Sequence, residues 1–201
     1  MTTHPQLHTR TALANGLRVL LRQLEERLAL SAPLNVYLAG GMAVHLYTAS
    51  RVTADVDAEF GGRVHLPNDL VVELTLEDGA QQILYLDTSF NSTFALMHED
   101  YLDDAVTVDL GMDQLRVHVL SPVDLAVSKI ARFAGNDQED IAALVRRGLT
   151  TADEIERRAT SALAGYVGGQ AMLRMNLRDA VALAREAERQ GAAPSADSTH
   201  E

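Results

Sequence analysis

The sequence predicts an α+β domain: an amphipathic helix, a mixed sheet with one early buried helix, then a helical C-terminal part. Three observations carry this reading. Leucines recur at helical spacing near the start, apolar and polar residues alternate through the middle, and cap-and-acid pairs recur after residue 120.

Leu13, Leu17, Leu20, Leu21, Leu24 and Leu28 predict a helix over residues 9–30 or so, ended by Ser31 to Pro33. Asn35 to Ala39 (NVYLA) reads as a short buried strand. Gly40-Gly41 then turns the chain, and Met42 to Tyr47 reads as a short helix packed inside, with His45 a hydrogen-bonded core residue. From Ala54 to Phe60 the pattern alternates: Asp55, Asp57 and Glu59 take one face, Val56, Ala58 and Phe60 the other. Residues 70–76 and 82–90 form strands around Glu77-Asp78-Gly79, a hairpin turn signal. A further pair is expected through Ala105–Leu110 and Leu115–Leu120.

Three or four helices follow. Ser121-Pro122-Val123-Asp124 supplies an N-cap, a proline at the first helical position and an acid at the third. Asp137 with Asp140, Thr151 with Glu154, and Asn176 with Asp179 repeat the cap-and-acid spacing, and the last helix closes at Gly191. The expected organisation is one domain: a core over 1–120, its helical part over 121–190, and a disordered tail over 191–201.

At 201 residues and 47% hydrophobic content, the chain is long enough for one ordinary core. A net charge of −11 argues against broad binding to phosphate backbones, though not against a local basic groove. There is no cysteine, hence no disulfide and no thiolate metal site. Residues 1–10 lack a signal-peptide pattern and no apolar run approaches a membrane span, so the expectation is a cytoplasmic protein with no membrane partner. The arginines of the C-terminal helices (Arg157, Arg158, Arg174, Arg178, Arg185, Arg189) alternate with acids, as on a solvated face that could also serve an RNA acceptor.

The chemistry concentrates in "LAGGMAVHLYTASRVTADVDAEF", Leu38 to Phe60. Residues two apart on a strand share a face, so Asp55 and Asp57 converge and repel unless a cation sits between them. Oxygen-only ligation favours Mg²⁺ or Mn²⁺ over Zn²⁺. Gly40 and Gly41, after a strand and before a helix, let a ligand approach the backbone and present free amides where phosphate is favoured. A phosphate cradle beside a carboxylate pair points to a nucleoside triphosphate held through its metal. A lone Asp-x-Asp is more often a solvated strand face; the joint pattern is what favours chemistry.

These residues, Gly40-Gly41, Arg51-Val52-Thr53 and Asp55-Val56-Asp57, resemble the signature of the minimal nucleotidyltransferase fold related to DNA polymerase beta. More narrowly, the chain is similar to bacterial nucleotidyltransferase-like proteins near the AbiEii toxin family. In those proteins a helix with a lysine and a short Asp-rich segment follow the sheet, here Ser121 to Leu149; the resemblance covers residues 35–150 or so. It implies a nucleotidyltransferase-like mixed sheet with flanking helices. It also implies a third carboxylate on a neighbouring strand, for which Asp87 is the first candidate and Asp109 the second, while Glu59 reads as a rim charge. Asp55, Asp57 and Asp87 would then cluster closely enough to share a divalent ion. Lys129 would touch the triphosphate, against the alternative of a solvent-facing lysine. Arg51 would bind phosphate or pair with Asp55. Asp137 and Asp140 are explained by capping alone. Met42 stands after the second glycine where many active members carry Gly-Ser.

The implied activity is transfer of a nucleoside monophosphate from an NTP to an acceptor hydroxyl on RNA, tRNA or protein, with Mg²⁺ or Mn²⁺, in a toxin-like role restrained by an antitoxin. The rivals are a nucleotidyltransferase fold that has lost catalysis and serves binding, and a structural α+β domain with surface aspartates.

Overall fold

In the computed structural model, which describes residues 5–192, helix α1 (Ala12–Leu28) begins where the Thr11 hydroxyl accepts from the Ala14 N–H at 3.1 Å. Its leucines at 13, 17, 20, 21 and 24 are fully buried, as their spacing requires. Strand β1 (Leu34–Leu38) leads into helix α2 (Gly40–Thr48), every residue of which is buried. The two glycines are therefore the first turn of that helix rather than a separate turn before it. Strand β2 (Asp55–Phe60) runs antiparallel to β1.

Strands β3 (Val71–Thr75) and β4 (Gln81–Asp87) form the expected hairpin, with Gly79 at φ +86° in the turn. Strand β5 (Val106–Thr107) is short, and β6 (Leu115–Val119) pairs with it antiparallel and with β1 in parallel. The mixed sheet has the order β3-β4-β2-β1-β6-β5. Helices α1 and α2 pack on one of its faces, where Val56, Val72, Leu84 and Leu86 point. The other face, at the β3-β4-β2 end, carries the aspartates.

Four helices complete the chain: α3 (Pro122–Ser128), α4 (Gly135–Arg146), α5 (Ala152–Gly165) and α6 (Ala171–Ala192). Ser121 caps α3 and Thr151 with Glu154 forms a capping box on α5, as their spacing predicts. Three expectations need correction. Asn176 is no cap: it lies inside α6, buried, and donates from Nδ2 to the Ile130 carbonyl at 2.9 Å. The long-range bond to the segment between α3 and α4 took precedence over the local cap signal. Arg158 is not on a solvated face, because it pairs with the buried Asp124 at 2.7 Å and with Asp104. Gly191 and Ala192 belong to α6, and the rest of the expected tail, 193–201, lies outside the described residues.

The Asn176 contact closes the chain segment that carries Lys129. Replacing Asn176 with Ala leaves a buried carbonyl short of a donor and should cost about 1–3 kcal/mol, whereas Ala at the exposed Arg178 should be nearly neutral. Denaturant unfolding of the two variants checks this.

Candidate functional site

The site begins with a close approach. Gly40 has φ +59°, and a Cβ placed on it would stand 1.7 Å from Oδ2 of Asp57, so no other residue fits without moving that carboxylate. The Ala39 N–H donates to the Asp57 carbonyl at 2.9 Å and holds the two segments together. The α2 N-terminus thus lies directly against the middle of β2.

Register places the third acid. Asp57 is the partner of Asp87 across the parallel β2–β4 pair, and Asp55 is the partner of Tyr85, so Asp55, Asp57 and Asp87 share one face. They line a cleft of about 350 Å³ together with Gly40, Gly41 and Lys129. Asp109 lies beyond β5 at the opposite edge of the sheet and accepts from the Gly111 N–H at 2.9 Å, so it cannot join them. Glu59 accepts from the Tyr101 hydroxyl at 2.7 Å, away from the pair.

The three carboxylates differ from the expected tight cluster. Asp55 takes the Thr53 hydroxyl, and Asp87 takes the N–H and hydroxyl of Ser89 at 2.8 and 2.6 Å. Among the described residues no three acidic or imidazole side chains already stand within reach of one ion. The oxygen-only donor set suits Mg²⁺ or Mn²⁺ in kind. Each of these local bonds uses one carboxylate oxygen, Oδ1, of Asp55 or Asp87.

Asp57 bears the electrostatic load. Burial, and then the Asp55 charge, push its carboxyl up to about 6; Lys129 opposes this, Asp87 adds to it and Arg132 opposes it.

The cations sit on the other side of the cleft. Lys129, the only lysine in the chain, follows α3 directly and is buried rather than solvent-facing. Its Nζ lies 2.9 Å from Asp140 and 3.7 Å from Asp137. Arg51 pairs with Asp140 at 3.2 Å, not with Asp55. Arg132 grips Asp137 through two hydrogen bonds at 2.7 and 2.8 Å. Helix α4 starts earlier than the cap spacing suggests. Asp137 is its third residue, accepting from the Ala134 N–H at 2.9 Å, and Asp140 lies inside the helix. Capping explains part of Asp137 and nothing of Asp140, which is 2% exposed and exists to bind two cations. Sequence reasoning missed this role; the i, i+3 spacing of Asp137 and Asp140 places both on one helix face toward Lys129, a signal shared by any cap pair.

Arg51 is held from behind. His45 Nδ1 donates to the Arg51 carbonyl at 2.6 Å and its Nε2 accepts from the Thr11 hydroxyl at 2.7 Å. Burial lowers the pKa of His45, and the neutral ring this favours links α1, α2 and the site as a core residue.

Residues 16–176 match the family described as nucleotidyltransferase of unknown function (DUF6036). No curated protein and no solved structure matches the chain.

Two outcomes follow from this geometry. For Asp57 the folded-state pKa lies above the unfolded one, so its contribution to stability is full below about pH 4 and is lost as pH rises through about 6. Ion-free wild type minus Asp57→Asn, compared by melting temperature across pH 4–7, should show the wild type losing ground as pH rises; a flat difference would contradict the buried, repelled carboxylate. Asp140→Asn leaves buried cations underpaired and should cost about 3 kcal/mol. Adding Lys129→Met should recover part of that loss in a double-mutant cycle.

Proposed function

The chain belongs to the nucleotidyltransferase family of unknown function (DUF6036), and on that premise we propose that it transfers a nucleoside monophosphate from an NTP to an acceptor hydroxyl with Mg²⁺ or Mn²⁺. The observation that supports this most is the shared face of Asp55, Asp57 and Asp87 beside a helix N-terminus at which Gly40 leaves room for nothing larger. The ion would be held by Asp55 and Asp57 with Asp87, and would supply charge neutralisation and alignment for in-line displacement at phosphorus. The chain's own residues do the rest. Gly40 and Gly41 receive the phosphates at the start of α2. Lys129 and Arg51, poised by Asp140, face the charge that develops on the departing pyrophosphate. Arg132, fixed by Asp137, adds a cation at the same mouth.

We extend the proposal to a toxin-like role restrained by an antitoxin partner. Its support is the likeness of Gly40-Gly41 and Asp55-Val56-Asp57 to AbiEii-type proteins. A second reading, a binding protein that has lost catalysis, is favoured by one observation: among the described residues no three acidic or imidazole side chains already stand within reach of one ion.

Incubation with α-phosphate-labelled NTPs and Mg²⁺ or Mn²⁺ separates the readings. Transfer of label should fall by about 100-fold or more in Asp57→Asn, as expected when one preorganised electrostatic contact at the reacting phosphate is removed. The ion should also raise the melting temperature of the wild type and not of Asp57→Asn. NTP binding without any turnover would leave the second reading.

A further inference from the structure

We propose that the acceptor hydroxyl belongs to a polypeptide, docked as an extended segment on the bare face and free edge of the β3–β4 hairpin. This rests on the nucleotidyl-transfer reading above and specifies its second substrate.

The direction of approach comes from the order of elements. The phosphate-binding groups, Gly40, Gly41, Arg51 and Lys129, lie on the β1 and helical side of Asp57. Asp87 lies on the other side, on β4, and β3 lies beyond it. In-line displacement puts the nucleophile opposite the leaving pyrophosphate, so the acceptor enters from the β4–β3 side. There the new bond forms between the acceptor oxygen and the α-phosphorus. The bond from that phosphorus to the bridging oxygen breaks, and pyrophosphate leaves with its electron pair. The hydroxyl proton passes to solvent by way of the Asp87 carboxylate.

The surface on that side has a definite chemistry. Val71, Ile83 and Tyr85 share the face of the catalytic carboxylates and are 49%, 53% and 43% exposed. Val71 is the register partner of Tyr85, and Tyr85 of Asp55, so an apolar strip runs directly from the carboxylates to the sheet edge. Among the described residues strand β3 is the terminal strand of the sheet and has no strand paired to its outer edge. An edge strand with an apolar strip beside it is the geometry of strand addition, where backbone bonds give affinity and side-chain contacts give selectivity.

Charge selects against RNA here. Arg51, Lys129 and Arg132 all sit on the phosphate side and are engaged by Asp137 and Asp140. The one charged residue of the strip's face on β3 is Glu73, opposite Ile83, and Asp55 and Asp87 stand at its inner end. A phosphodiester chain laid on this face would meet carboxylates and gain little counterion release.

The experiment offers two acceptor pools to the full chain with α-phosphate-labelled NTPs and Mn²⁺: nucleic-acid-free cell protein and protein-free total RNA. Wild type, Ile83→Ser and Tyr85→Ser are compared, with NTP affinity and melting temperature measured for each. Support requires protease-sensitive label that falls by about tenfold or more in both variants, with NTP affinity and melting temperature kept. RNase-sensitive label overturns the polypeptide acceptor and leaves nucleotidyl transfer standing. Protease-sensitive label that neither variant reduces overturns the docking surface. Bound NTP with no label in either pool sinks the transfer reading, and this proposal with it.

Discussion

The site depends on the space that Gly40 leaves empty, because a carboxylate fills it: Oδ2 of Asp57 occupies the position where any side chain at residue 40 would begin. That contact does three things together. It brings the N-terminus of α2 against β2, it puts Asp57 half inside the protein, and it aligns the free amides of the helix start with the carboxylate pair. The cost is electrostatic. A buried carboxyl beside Asp55 and Asp87 resists ionisation, and the fold accepts that cost at the place where a divalent ion and a phosphate would relieve it.

Across the cleft the charges are arranged in the opposite sense. Lys129, Arg51 and Arg132 share two carboxylates, Asp137 and Asp140, so three cations meet two anions. The pairs that Asp140 makes with Lys129 and Arg51 are largely buried, and such pairs contribute little net stability because desolvation consumes most of their attraction. What they supply is position. A lysine on a flexible stem, held at 2.9 Å by a carboxylate inside a helix, keeps its ammonium at the cleft wall rather than in solvent. Within this network one positive charge is left over, and Arg51, Lys129 and Arg132 all line the cleft.

The layers of the fold were legible because each rests on a local pattern. The leucine spacing of α1, the alternation in β2, the Glu77-Asp78-Gly79 hairpin and the Ser121 and Thr151 caps are all periodic or short-range signals. Asp87 stands out in the sequence as a polar interruption of an apolar strand, and register sets it beside Asp57. What stayed hidden depends on long-range packing. Asn176 and Asp140 both look like members of cap pairs, yet each is drawn into the interior by a partner far along the chain, the Ile130 carbonyl and Arg51. Arg158 looks like one of six alternating surface arginines until Asp124 is found beneath it. Nor can spacing tell which way a carboxylate turns. Asp55 and Asp87 both choose a hydroxyl two residues away, a local bond that competes with ion binding.

That competition bears on how the site would work. Neither hydroxyl contact removes the burden on Asp57, whose raised pKa owes nothing to hydrogen bonding and follows from burial and its charged neighbours. A cation entering beside Asp57 would therefore gain most of its attraction from the carboxylate whose charge burial and its acidic neighbours oppose. Asp55 and Asp87 each give one oxygen to a local hydroxyl, through Oδ1. On the proposed reading Asp57 would set the location of the ion, and Asp55 and Asp87, on the same face of the sheet, would complete its coordination.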